Sequence, residues 1–171
     1  SGSRAPWHEH RTKITSVVVE NGVTGVGNYA FADLYKATSI SIPVGVTSIG
    51  NHAFDYCTAL TSVELGNGIK AISPSMLYEC FNLTAITVPE SVTEIGERAF
   101  QYCTALKKVT LPESLKTICA DLLRYGALAL FLPIIYTLVD VFSVFCSSTV
   151  IPNVLERATA PELAVVASVI A

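Results

Sequence analysis

Charge is scarce in this chain, and neither sign is in large excess. Asp, Glu, Lys and Arg together make up 15% of its 171 residues, 14 acidic against 11 basic, for a formal net charge of -3. A nucleic-acid partner requires Lys and Arg clustered on one face, so none is expected. A glycine-rich phosphate loop of the usual forms is absent, as is any evident grouping of a nucleophile with His and a carboxylate. Histidine occurs three times, as His8, His10 and His52. The His8-x-His10 pair offers two ligands where a zinc site needs three or four, so no metal is expected. His52 shares its place with Tyr29, Ser75 and Arg98, which reads as a surface position rather than a catalytic one. No cofactor and no enzymatic activity are expected.

Cysteine is present in an odd number, five. Cys57, Cys80 and Cys103 stand 23 residues apart, a spacing without the short pairs of a zinc site. Either they form a ladder with redox or metal chemistry, or they are small buried apolar side chains. Leu34 occupies the same place upstream, which favours packing. An initiator Met is missing before Ser1, and the expectation is a piece of a longer protein.

What the chain does have is a repeat of 23 residues without insertion or deletion. ITSVVVENGVTGVGNYAFADLYK begins at Ile14, and further copies begin at Ala37, Leu60, Leu83 and Leu106. Such a period marks a solenoid whose units cannot bury their apolar faces alone and must stack. Counting from zero at the start of each copy, offsets 3 and 5 are aliphatic throughout, for example Ile40 and Ile42, or Ile86 and Val88. They alternate with polar or small residues, the period of a half-buried strand. Pro43, Pro89 and Pro112 end the strand at offset 6, with Gly66 in the third copy. Aliphatic residues return at offsets 9 and 12, followed by Gly27, Gly50, Ser73, Gly96 and Cys119, where a bend is expected. Offsets 16 and 17 hold Ala30-Phe31, Ala53-Phe54, Met76-Leu77, Ala99-Phe100 and Leu122-Leu123. A short helical or irregular segment is expected there, with Phe31, Phe54 and Phe100 stacked in a buried column.

Residues 83–106 carry Leu83, Ile86, Val88, Pro89, Val92, Ile95, Gly96, Ala99, Phe100, Cys103 and Leu106. They resemble the BspA-like class of leucine-rich repeats, and residues 37–60 do so nearly as well. The resemblance covers roughly residues 14–125 and implies an α/β repeat solenoid. Its form would be a right-handed coil with a parallel β-sheet on one face and short helical or irregular segments opposite. Residues 1–13 then form an N-terminal lead-in, with Trp7 capping the first coil; 14–125 form five repeats; 126–171 form a hydrophobic tail. The resemblance also implies display at the cell surface or secretion. It points to a non-enzymatic protein-binding or adhesion module whose partner is a host matrix or surface protein. A structural spacer or a membrane-anchored receptor ectodomain stands as the alternative.

Two surfaces are candidates for binding. The outward strand positions give Ser16, Ser39, Ser41, Ser62, Glu64, Thr87, Lys108 and Thr110, a small hydroxyl-rich face without Trp, Tyr or Arg anchors. The other is the edge carrying Asp55-Tyr56, Tyr78-Glu79, Gln101-Tyr102 and Arg124-Tyr125, where tyrosine reads as binding residue or as amphipathic filler. Asn82-Leu83-Thr84 is a glycosylation sequon whose central residue falls on the core, so it reads as coincidental. In the tail, residues 127–151 carry a single charge, Asp140, and are long enough to span a bilayer. A degenerate coil, a helical cap or a non-native extension fit the same stretch.

Overall fold

The structure, a computed structural model, describes residues 5–119. The five copies are successive coils: 14–36, 37–59, 60–82, 83–105 and the start of a fifth from 106. Each contributes a strand of three or four residues and then one of two. These are β1 (Ser16–Val18), β2 (Gly25–Val26), β3 (Ser39–Ile42), β4 (Ser48–Ile49), β5 (Ser62–Leu65), β6 (Ala71–Ile72), β7 (Ala85–Thr87), β8 (Glu94–Ile95), β9 (Lys108–Thr110) and β10 (Thr117–Ile118). All pairings are parallel and join equivalent residues one repeat apart, such as Ile40 with Val63 and Ile86 with Val109. That register follows from the constant period, because a slip of one residue would turn every buried aliphatic outward.

The interior is a set of columns. Phe54, Leu77 and Phe100 are fully buried at offset 17, and Ala53, Met76 and Ala99 beside them at offset 16. In the third coil Met76-Leu77 replaces a small and a large side chain by two of middle size, with the same number of side-chain heavy atoms. Phe31 stacks on Phe54 with ring centroids 6.0 Å apart. Trp7 lies in a one-turn 3-10 segment, Pro6–His10, and stacks on Phe31 at 5.4 Å. Its indole N–H donates to the Ala30 carbonyl at 2.8 Å. The corresponding carbonyl of the next coil, on Ala53, accepts from the backbone N–H of Phe31. Trp7 therefore supplies both the ring and the donor that a preceding coil would have supplied, which is how the expected cap works.

Of the two forms expected for the segment opposite the sheet, helical or irregular, the irregular one is found. Pro6–His10 is the only helical element among the described residues. Offsets 15, 17 and 19 instead donate backbone N–H groups to the following coil. Tyr29 donates to Asn51, Phe31 to Ala53 and Asp33 to Asp55, at 3.1, 2.9 and 2.8 Å. The same three bonds recur from His52, Phe54 and Tyr56, and again from Ser75, Leu77 and Glu79. Residues at offsets 15 and 19 reach this geometry with φ between 53° and 63°: Tyr29, Asp33, His52, Tyr56, Ser75, Glu79, Arg98 and Tyr102. Six of these eight left-handed residues, Tyr29, Asp33, His52, Tyr56, Ser75 and Glu79, are held by N–H bonds to the next coil, which lets the strained backbone persist. The bend therefore falls two residues beyond the glycine position. Gly50 and Gly96 are small for another reason. A Cβ on Gly96 would come within 2.6 Å of the Pro74 nitrogen, and one on Gly50 would enter the backbone of Asn28.

The third coil is a joint. Its strand β5 pairs back to β3 but not forward to β7, while β6 pairs forward to β8 but not back to β4. Gly50, Gly96 and Cys119 donate backbone N–H to the carbonyls of Val26, Ile72 and Ile95. In the third coil the Ser73 hydroxyl makes the equivalent bond to Ile49. Gly66 and Gly68 bring the third coil's loop tight onto Pro43–Val46, where a Cβ at either would enter that backbone. Leu123, Arg124-Tyr125 and the stretch 127–151 lie outside the described residues. No helix among the described residues is long and apolar enough to cross a membrane.

Candidate protein-binding faces

On the sheet face the strands bring the expected residues into two outward columns. Ser16, Ser39 and Ser62 are in register, and Ser41 faces Glu64, with the Ser41 hydroxyl 3.4 Å from the Glu64 carboxylate. Beyond the joint, Lys108 pairs with Ala85 and Thr110 with Thr87. Ser41 is half-buried and the other seven candidates are exposed. Between β5 and β7, which are not laddered together, lies a shallow open depression of about 330 Å³, lined by Ser62, Glu64 and Thr87 with Leu65 and Pro89. The break thus collects three of the candidates in one place and leaves Lys108 and Thr110 on the strand after it.

The turn face carries the aromatics. Tyr29 stacks on His52 at 4.7 Å, Tyr56 sits 6.1 Å from Tyr78, and Tyr78 meets Tyr102 edge-on at 5.4 Å. Carboxylates interleave with them. The Tyr35 hydroxyl donates to Asp33 at 2.8 Å. His52 Nδ1 lies 3.0 Å from Asp55. A hydrogen bond to the Glu79 carboxylate, with its charge, pushes the Tyr56 phenol up to about 12. Burial raises the Asp55 carboxyl above its ordinary value, against the opposing hydrogen bond and charge of His52, with Asp33 and Glu79 adding to the rise. One oxygen of Asp55 is buried without a hydrogen-bond partner.

The position shared by Tyr29, His52, Ser75 and Arg98 is therefore not simply surface: Ser75 is buried and Tyr29 is 58% exposed. Its members have a left-handed backbone in common, which no residue preference announced. The cysteines at offset 20 are core, and they also bond. Cys57, Cys80 and Cys103 are fully buried and free, and their Sγ donate to the carbonyls of Phe31, Phe54 and Leu77 in the preceding coil at 3.1 to 3.3 Å. Leu34 holds the same place in the first coil and is buried as well. Burial pushes Cys57 and Cys103 up to about 12 and Cys80 well above the ordinary thiol value, so the neutral thiol is held. Leu83 of the sequon is fully buried, and the Asn82 amide nitrogen already donates to the Thr58 carbonyl at 2.7 Å. Among the described residues no three His, Cys, Asp or Glu side chains converge as metal ligands.

Comparison with known proteins agrees with this geometry. A leucine-rich cell surface protein of Faecalibacterium prausnitzii A2-165 superposes with a TM-score of 0.62 at 30% identity, over 64% of this chain and 29% of its own. A leucine-rich repeat protein of T. pallidum gives 0.52 at 28%, over 63% of this chain and 59% of its own. One from Eubacterium ventriosum gives 0.53 at 27%, over 63% of this chain and 35% of its own. This chain thus spans less than two thirds of each relative's length. No match is found among curated proteins. The family described as BspA type leucine rich repeat region matches residues 8–128 in six copies, a span that takes in all the described coils. The chain belongs to the BspA-type leucine-rich repeat family.

Proposed function

We propose that this chain is a non-enzymatic, adhesive protein-binding module of a bacterial cell-surface protein, and that it docks a host matrix or surface protein on its sheet face. The observation that carries the reading is the interruption between β5 and β7. A shallow depression lies at that interruption, with Glu64 and the hydroxyls of Ser62 and Thr87 around it. The solved Faecalibacterium relative is described as a cell surface protein, which supports the location. Ser16, Ser39 and Ser41 on one side, with Lys108 and Thr110 on the other, extend the same face and provide its rim.

The test is surface plasmon resonance of the immobilised chain against a panel of purified extracellular matrix proteins. Glu64→Arg and Lys108→Glu are run beside the parent. At least one matrix protein is expected to bind, with an affinity about tenfold weaker for Glu64→Arg, since a reversed charge at a contact opposes the partner. Equal binding by both variants removes the sheet face from the proposal, and silence across the panel removes adhesion to matrix.

A further inference from the structure

We propose that the tyrosine–carboxylate ridge of the turn face is a second docking surface, and that its occupant is an extended, arginine-bearing peptide segment of a partner protein. The ridge lies on the segment opposite the sheet, so this goes beyond the sheet-face reading and does not depend on it. Three observations converge on the occupant. Carboxylates from three successive coils line this face: Asp55, paired with His52 at 3.0 Å, sits in the field of Asp33 before it and Glu79 after it, and Asp33 accepts from the Tyr35 hydroxyl. Tyr56 and Tyr78 stand 6.1 Å apart with Glu79 next to Tyr78 in the chain, and its negative charge helps to raise both phenols, so aromatic faces and negative charge share the same turn. Tyr56 is 40% exposed, which leaves ring surface open to a partner.

The geometry selects among ligands. A sugar chain needs flat, coplanar aromatic platforms, whereas Tyr56 and Tyr78 are tilted by 48° and Tyr78 meets Tyr102 at 84°. Nucleic acid is repelled by the carboxylates. A cation is favoured twice, by ring faces and by carboxylates. Guanidinium suits the ridge better than ammonium, because its plane stacks on tyrosine while its fork bonds a carboxylate. Successive tyrosines are 6.1 and 5.4 Å apart, somewhat closer than the roughly 6.5–7 Å between alternate side chains on one face of an extended peptide, a difference that the long arginine side chain takes up. Arginines at alternate positions would therefore reach successive coils.

Fluorescence anisotropy of the full chain, titrated into a labelled peptide of alternating Gly and Arg, tests this. Alternating Gly–Lys and Gly–Glu peptides serve as comparators. The Arg peptide is expected to bind, the Lys peptide more weakly and the Glu peptide not at all. Glu79→Gln should weaken the Arg peptide about tenfold through loss of a charge-assisted bond. Tyr56→Asn should weaken it about threefold through loss of a ring face, with Asn tolerating the left-handed backbone. Glu64→Gln on the sheet face should leave it unchanged. Circular dichroism confirms that each variant keeps the fold of the parent. Absence of binding, equal affinity for Arg and Lys peptides, or a loss caused by Glu64→Gln but not by Glu79→Gln overturns the proposal. A failed matrix-protein screen leaves this titration untouched, so the two proposals fall separately.

Discussion

Single side chains do the work of missing coils and set the pH response. Trp7 stands where a preceding Phe and its backbone donor would stand, with its ring on Phe31 and its N–H on the Ala30 carbonyl. The two roles separate by substitution. Trp7→Phe should cost about 1 kcal/mol, the hydrogen bond alone, and Trp7→Ala roughly 2–4 kcal/mol, because the end of the aromatic column is then uncovered as well. Urea denaturation followed by circular dichroism checks this, and equal costs would show that the ring is not stacked as described. Asp55 sets a pH dependence. Burial raises its carboxyl above the ordinary 3.8, so the folded state holds the proton more tightly than the unfolded chain does. That stability is fully present below the ordinary value and is lost as pH rises through the raised one. Asp55→Asn removes this loss. Thermal melts from about pH 3 to about pH 6 should show the variant gaining on the parent as pH rises, and parallel curves would refute the assignment.

At the level of the coil, the period made the strands readable and left the turns obscure. Ile40, Val63, Ile86 and their partners announce themselves because burial on one face of a strand demands alternation, and the Phe54–Leu77–Phe100 column follows from the same period. The sheet-face candidates were legible for that reason. The segment from offset 14 to 20 was not. Its conformation is imposed by N–H groups bonding the next coil, and its left-handed positions hold Tyr, His, Ser, Arg, Asp and Glu, none of which signals that backbone strongly. The gap between β5 and β7 was equally hidden, because Gly66 and Ser73 look like mild departures until their neighbours are in place. Glycine at offset 13 gives a contrast within one repeat position. Gly50 and Gly96 lie against the coil before them, whereas a Cβ at Gly27 meets nothing within 4 Å. Gly50→Ala and Gly96→Ala should each destabilise by about 1–3 kcal/mol, as overpacking does. Gly27→Ala should stay within about 0.5 kcal/mol of the parent. Chemical denaturation of the three single variants decides it, and a uniform cost would return the explanation to backbone conformation.

Across the whole stack, each coil touches only its neighbours, so stability is a sum of local and interface contributions and the period becomes a unit of engineering. The third coil is the critical test, since its departures define the joint and the depression. Deleting residues 60–82 from the full chain joins Ala59 to Leu83, and every offset remains in phase. Phe54 then meets Phe100 as Phe31 meets Phe54 now, Cys103 reaches the Phe54 carbonyl, and Gly96 reaches that of Ile49, a pairing already made one coil earlier. The glycine loop at Gly66 and Gly68 goes with the coil, and β3 can ladder directly to β7. The shortened protein should keep its β-rich circular dichroism and unfold cooperatively, with a urea m value lower by roughly a fifth, in proportion to the surface removed. Deleting residues 60–71 shifts half a coil out of phase and turns core residues outward, so that variant should show no cooperative transition. If the two deletions behave alike, the third coil is a keystone and not one unit among equals. If the first folds as expected, it also loses Glu64, Tyr78 and Glu79 together. Matrix binding and arginine-peptide binding should then both fall in a protein that is still folded, which ties both docking surfaces to the coil that breaks the repeat.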